Sequence, residues 1–273
     1  MMKRLGLVAL IAVVLAAVAG GAALYLGAYN VAATEPHWRV TIWLLDTAMR
    51  RSTRQRAEEL AAPALDAKER IAAGAAVYRA HCVTCHGAPG VAPEEFALGM
   101  VPPPANLAYT ARQWRSTDLF WAIKHGIKMT GMPAWEYRLT DDQIWSVVAF
   151  LPAMAMMQPL EYAALKTPEA QVQATESAAP TPSARRGKAA IHQYACATCH
   201  VIPGIPATAA PVGPPLDDMA RRAFIGGVVP NTFANMQRWL LDPPAVAPRT
   251  AMPALGLTER DAADIAAYLA TLD

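Results

Sequence analysis

Charge is scarce in this chain and nearly cancels: 24 Lys and Arg face 22 Asp and Glu, for a formal net charge of +2. No broad basic field is available for a nucleic-acid backbone, so partners must be recognised through local patches. Histidine is sparse as well, and His37, His81, His125 and His192 lie scattered, with no acid, base or nucleophile clustered beside them. Nothing here predicts a small-molecule substrate. Cysteine is scarcer still, at four residues. The 54% hydrophobic content is inflated by alanine and by one long apolar run near the N-terminus.

All four cysteines fall in two copies of one pattern, Cys82-Val83-Thr84-Cys85-His86 and Cys196-Ala197-Thr198-Cys199-His200. C-x-x-C-H is the attachment pattern for c-type haem. Two residues between the thiols set both sulfurs along one porphyrin edge for thioether formation, and the next residue presents its imidazole to the iron. A thioredoxin-like pair needs a strand before it and a helix after it, whereas each motif here follows a helical run and opens into a Pro/Gly-rich loop. A zinc site would bring the two pairs into one tetrahedron, but more than a hundred residues separate them. A disulfide rarely closes across two intervening residues. The expectation is two covalently bound haem c groups, with His86 and His200 as iron ligands.

Lys3 and Arg4 precede an uncharged Ala/Val/Leu-rich run over 5–28. About 20 apolar residues suffice to cross a bilayer as helix. Ala17-Val18-Ala19 before Gly20 would suit a signal peptidase, yet the apolar run continues through Leu24, Tyr25 and Leu26 to Tyr29. Residues 1–30 are therefore read as a retained transmembrane anchor. The leading positive charges keep the N-terminus cytoplasmic. The rest of the chain then lies on the periplasmic side of the inner membrane. Residues 31–65 form an amphipathic connection. Pro36 is placed to open a helix running to Leu60, with Trp38, Ile42, Leu45 and Met49 on one face and Arg50, Arg51, Arg54 and Arg56 at the far end. Such a helix either packs on the next domain or lies at the membrane surface or on an integral-membrane partner.

The remainder is an internal repeat, 66–157 and 183–273, separated by an Ala/Pro/Thr/Ser-rich flexible linker over 158–182. Gly74 and Tyr78 precede the first motif at the spacing Gly187 and Ile191 hold before the second, with one extra residue ahead of Cys196. Each copy closes on an amphipathic helix, the first with a capping-box pattern at Thr140 and Gln143, the second capped by Thr258. Ahead of each closing helix stands Met-Pro-Ala, at Met132 and at Met252. A thioether is a soft ligand suited to haem iron, and proline stiffens the loop that carries it. Met129, Met100 and His125 compete at the first site, and the repeat selects Met132 because it carries the Met-Pro pair. Most other methionines, among them Met154, Met156, Met157 and Met236, read as core filling.

With these residues in place, both copies resemble class I cytochrome c domains, over 66–151 and 183–272. The second is similar to the family through Asn235-Met236-Gln237-Arg238-Trp239-Leu240, Asp242-Pro243 and Thr250-Ala251-Met252-Pro253, departing at Arg249 where the family usually has Gly. That resemblance implies an all-α fold, Trp239 and Thr250 lining the haem pocket, and the carbonyl of Pro214 orienting His200. In the first copy the run Pro102-Pro103-Pro104-Ala105-Asn106-Leu107 occupies the corresponding place, and the segment from Gly126 to Trp135 resembles membrane-bound cytochrome subunits of respiratory chains. With His and Met on opposite faces an iron has no open position, which implies single-electron transfer. The donor would be a quinol-oxidising complex or dehydrogenase and the acceptor a terminal oxidase. A permanent subunit of such a complex, and a dihaem peroxidase with one iron able to open, are the alternatives.

Overall fold

The computed structural model describes residues 2–136, 138–165, 181–206 and 212–273, so most of the expected linker lies outside the described residues. Helix α1, Met2–Tyr25, contains a 22-residue stretch, Arg4–Tyr25, that is long and apolar enough to cross a membrane and is not buried against the rest of the chain. At 1.5 Å per residue such a stretch spans about 33 Å, close to the thickness of a hydrocarbon core. It ends where Gly27 takes a positive φ of 67°.

Helix α2 spans Arg39–Arg56, starting later than Pro36 and stopping short of Leu60. The delay has a local cause. Tyr29 packs edge-on against Trp38 and its hydroxyl meets His37 Nδ1 at 2.6 Å, which leaves Trp38 extended as the N-cap (φ −57°, ψ 144°). The two halves of α2 differ. Thr53, on the helix, and Ala57, just past its end, are buried, and Leu60 beyond them packs on the core of the first domain. Trp38, Val40, Ile42, Trp43, Leu44 and Leu45, at the other end, are exposed.

The first domain continues through α3 (Lys68–His81), α4 (Val83–His86), α5 (Glu95–Leu98), α6 (Leu107–Thr110), α7 (Ser116–His125), α8 (Asp141–Met154) and α9 (Pro159–Ala164). Helix α9 lies beyond the expected limit at 157 and packs on the first domain. Tyr162 is buried, and Arg79 donates to the carbonyls of Tyr162 and Leu165, so this packing continues to Leu165. The second domain contains α10 (Ala184–Gln193), a 3-10 turn at Cys196–Thr198, the two-residue strands β1 (Phe224–Ile225) and β2 (Val229–Pro230) paired antiparallel, then α11 (Phe233–Leu241), α12 (Pro243–Val246) and α13 (Glu259–Leu269). The linker's end is tied to this domain where the Thr181 carbonyl accepts from Arg186, next to the Ser183 N–H bond to Asp264.

One crossing organises each domain, α3 on α8 and α10 on α13. At both, a glycine lets two backbones meet. A Cβ on Gly74 would strike the Ser146 carbonyl, and a Cβ on Gly187 the Asp264 carbonyl. Thr140 and Gln143 form the full capping box that starts α8, and the Thr258 hydroxyl accepts from Asp261 N–H to start α13. Around the first crossing pack Tyr78, Phe150, Ile144 and Leu151, with Phe120 stacked on Trp145 at 4.1 Å. Ile191, Ile265, Leu240 and Met236 surround the second. Each fully buried side chain of this size contributes roughly 1.5–3 kcal/mol. Met154 and Met236 sit in these cores as expected, whereas Met156 is exposed.

The two domains also touch. Gln193 donates to the Ala134 carbonyl at 3.0 Å, and Arg138 donates to the Tyr194 hydroxyl at 3.1 Å while lying over that ring.

Candidate functional site

Each C-x-x-C-H motif is wound into one tight turn. In the first, Cys82 N–H caps α3 on the Tyr78 carbonyl, and His86 N–H returns to the Cys82 carbonyl at 2.9 Å. Both cysteines and the histidine therefore occupy a single helical turn. In the second, His200 N–H reaches the Cys196 carbonyl at 3.0 Å. The extra residue ahead of Cys196 is absorbed where α10 ends, with Ala195 left-handed at φ 52°. A tight turn follows both, pairing Ala88 with Val91 and Ile202 with Ile205.

The imidazoles carry the clearest signal. His86 Nδ1 lies 2.8 Å from the Ala105 carbonyl, and His200 Nδ1 lies 2.8 Å from the Pro214 carbonyl. A carbonyl oxygen can only accept, so Nδ1 bears a proton in both rings, and in the neutral tautomer the lone pair is then on Nε2. In the first copy none of the three prolines supplies the oxygen; Ala105 does. Leu107 follows Ala105 at the distance Leu216 follows Pro214, so the register of the two loops is the same. The second loop is fixed by Val212 and Gly213 N–H groups donating to the Cys199 carbonyl, with Gly213 pressed against the ring. Burial holds His86 below the ordinary histidine range, offset in part by the Ala105 bond.

The cysteines form no disulfide. Burial, with Cys85 alongside, pushes the Cys82 thiol up to about 12, and burial raises Cys196 as well. Redox-active pairs and metal thiolates need the opposite shift. Among the described residues no three His, Cys, Asp or Glu side chains gather as a metal cage.

The methionine loops repeat a device that the sequence reading identified only partly. Met252 N–H donates to Thr250 Oγ1 at 3.2 Å, and Met132 N–H donates to Thr130 Oγ1 at 3.1 Å. Thr130 had a legible signal, a threonine two residues before each Met-Pro. Met132 is half-buried against the first core and its carbonyl accepts from Ile127 N–H, while Met252 packs on the second core. Gly126, at φ 65°, lets the loop fold closely on Pro133 and Ala134. Met129 is left-handed and 85% exposed. His125 turns to Glu136, and Met100 places its sulfur where a side chain on Gly131 would be. Trp239 packs on the second core with its ring over Gly226.

Two tyrosines add a further feature. Tyr78 on α3 donates to the Gly87 carbonyl at 2.6 Å, and Tyr268 on α13 donates to the Pro203 carbonyl at 2.7 Å. Opposite helices thus brace the chain just after the histidine in each copy.

The donor set fits covalent haem: two thiols on one turn, an imidazole nitrogen left basic, and a thioether on a stiffened loop. Comparison with known proteins agrees. Residues 69–151 match the family described as "Cytochrome C oxidase, cbb3-type, subunit III", and residues 184–273 match "Cytochrome c". Together they cover more than half of the chain. A curated relative, "Cytochrome c oxidase subunit 2" of Alkalihalophilus pseudofirmus, is 29% identical over 90 residues, 33% of this chain and 25% of the relative. This chain thus spans about a quarter of that relative's length. No solved structure matches. The fold and site mark both matched regions as c-type cytochrome domains, whose chemistry is electron transfer. The two domains make the chain a dihaem c-type cytochrome, behind an N-terminal helix able to anchor in a membrane.

Proposed function

We propose that the chain carries single electrons in a membrane-bound respiratory chain, from a quinol-oxidising complex or dehydrogenase to a terminal oxidase. Cys82 and Cys85 would hold one haem c and Cys196 and Cys199 the other. His86 with Met132, and His200 with Met252, would be the axial ligands, and Trp239 and Thr250 would line the second pocket. The observation carrying this reading is the carbonyl bond to Nδ1 in both copies, 2.8 Å each, which leaves Nε2 as the donor. When bound, haem so ligated supplies a one-electron couple whose potential the methionine raises. The chain's own residues fix ring tautomer, brace the thiol turn and hold the sulfur loop.

The oxidase side is supported by the names of the matched family and relative, both oxidase subunits. Helix α1 would be retained in the inner membrane with both domains in the periplasm. Redox titration of the detergent-solubilised holoprotein, followed in the visible spectrum, tests the reading together with carbon monoxide added after reduction. Two one-electron waves and an unmoved Soret band are expected. A carbon monoxide shift would favour a peroxidase. Those same subunit names favour a second reading, a fixed subunit of an oxidase. Co-migration with catalytic subunits at constant stoichiometry in mild detergent would establish it.

A further inference from the structure

We infer that the N-terminal half of α2 is a second membrane contact, lying in the headgroup region of the bilayer that α1 crosses. This rests on the reading of α1 as an anchor. Three observations carry it.

The first is continuity. Tyr29 stands four residues beyond the end of α1, and it grips the start of α2 through His37 Nδ1 at 2.6 Å and the Trp38 ring at 4.8 Å. The connector is folded back on itself, so α2 begins beside the point where α1 leaves the membrane.

The second is the distribution of apolar side chains. Ile42, Trp43, Leu44 and Leu45 are consecutive, and all are exposed, Trp43 at 65%. At 100° per residue, four in a row sweep most of the helix circumference. A protein groove would bury one stripe and leave the other side polar. Lipid meets every side, and two tryptophans suit the boundary between headgroups and chains. The third is charge. Arg51 and Arg54 are exposed further along, Arg51 about 12 Å beyond Trp43, where anionic headgroups would meet them.

The other half of α2 is fixed to the first domain. Thr53 is 2% exposed, Arg115 donates to the Arg54 carbonyl at 3.1 Å, and Arg50 lies over Trp114. The helix is therefore a rigid strut that sets the height and orientation of the first domain over the bilayer.

The test uses the full holoprotein in vesicles of phosphatidylethanolamine and phosphatidylglycerol, with bromine placed on shallow acyl positions of the lipid. Flotation reads α1. Bromine quenching of the fluorescence that disappears in the doubly substituted W38F/W43F chain reads α2. Flotation with strong quenching of that component is expected, alongside an unchanged haem spectrum in the variant. Flotation without quenching overturns the inference and leaves the anchor standing, and would assign this surface to a protein. A chain that does not float overturns both.

Discussion

Arg138 of the first domain lies 3.8 Å from the carboxylate of Asp261 in the second, and the Tyr194 hydroxyl donates to the same carboxylate at 2.8 Å. Asp261 is 1% exposed. A buried carboxylate needs compensation, and here part of it comes from the neighbouring domain. Arg138→Ala should destabilise the second domain by about 1 kcal/mol, a modest figure because the arginine is partly solvated. It should also loosen the domain contact. Small-angle scattering of wild type and variant reads the spacing, and an unchanged profile would count against a fixed pair.

Gly74→Ala and Gly187→Ala should each unfold one domain early. Alanine normally improves a helix by up to about 1 kcal/mol. Here the added carbon meets a carbonyl of the crossing helix, and overpacking costs about 1–3 kcal/mol. The net sign is therefore destabilising. Calorimetry should show the transition of the substituted domain moving down while the other stays in place.

Much of this was legible beforehand because chemistry fixes the spacing. C-x-x-C-H, Met-Pro and the capping residues are local patterns, and the turns they predict are where the structure has them. Pro36 misled, since local helix-start chemistry lost to the contact of Tyr29 with His37 and Trp38. The packing of α9 was hidden too, because the burial of Tyr162 goes with its contact to Arg79, more than eighty residues earlier. The Arg138–Asp261 relationship lies between domains, and no periodicity encodes it.

Thr130→Val and Thr250→Val should slacken the methionine loops. Valine keeps the shape and removes the oxygen that accepts the methionine N–H, at a cost of about 1 kcal/mol each. In the holoprotein this should weaken the near-infrared sulfur-to-iron band at the substituted site and lower its potential, leaving the other site untouched. Serine at either position, which restores the acceptor, should recover most of both.

Stability should fall as pH drops below about 6.5 through His125. Burial holds its pKa below the usual value, with Lys124 acting the same way and Glu136 and Asp141 opposing. The unfolded chain then takes up its proton first, so the stabilisation is complete above that pH and is lost on the way down to the folded value. His125→Gln should flatten this part of the profile. Thermal melts between about pH 7 and pH 5 compare the two slopes, and equal slopes would remove His125 from the account.

Met132→Ala and Met129→Ala separate the two methionines that compete at the first site. Met132 is held on its core by the Thr130 and Ile127 bonds, while Met129 projects into solvent at 85% exposure. Removing Met132 should abolish the first site's share of the sulfur-to-iron band and lower that haem's potential, because a thioether ligand raises it. It should also open that iron to carbon monoxide, which the intact protein is expected to resist. Removing Met129 should change none of these. Met252→Ala gives the matching loss at the second site, so the double variant should lack the band altogether. A band surviving there would mean that another ligand, such as Met100 with its sulfur against Gly131, holds an iron, and the assignment of axial pairs by repeat would fail.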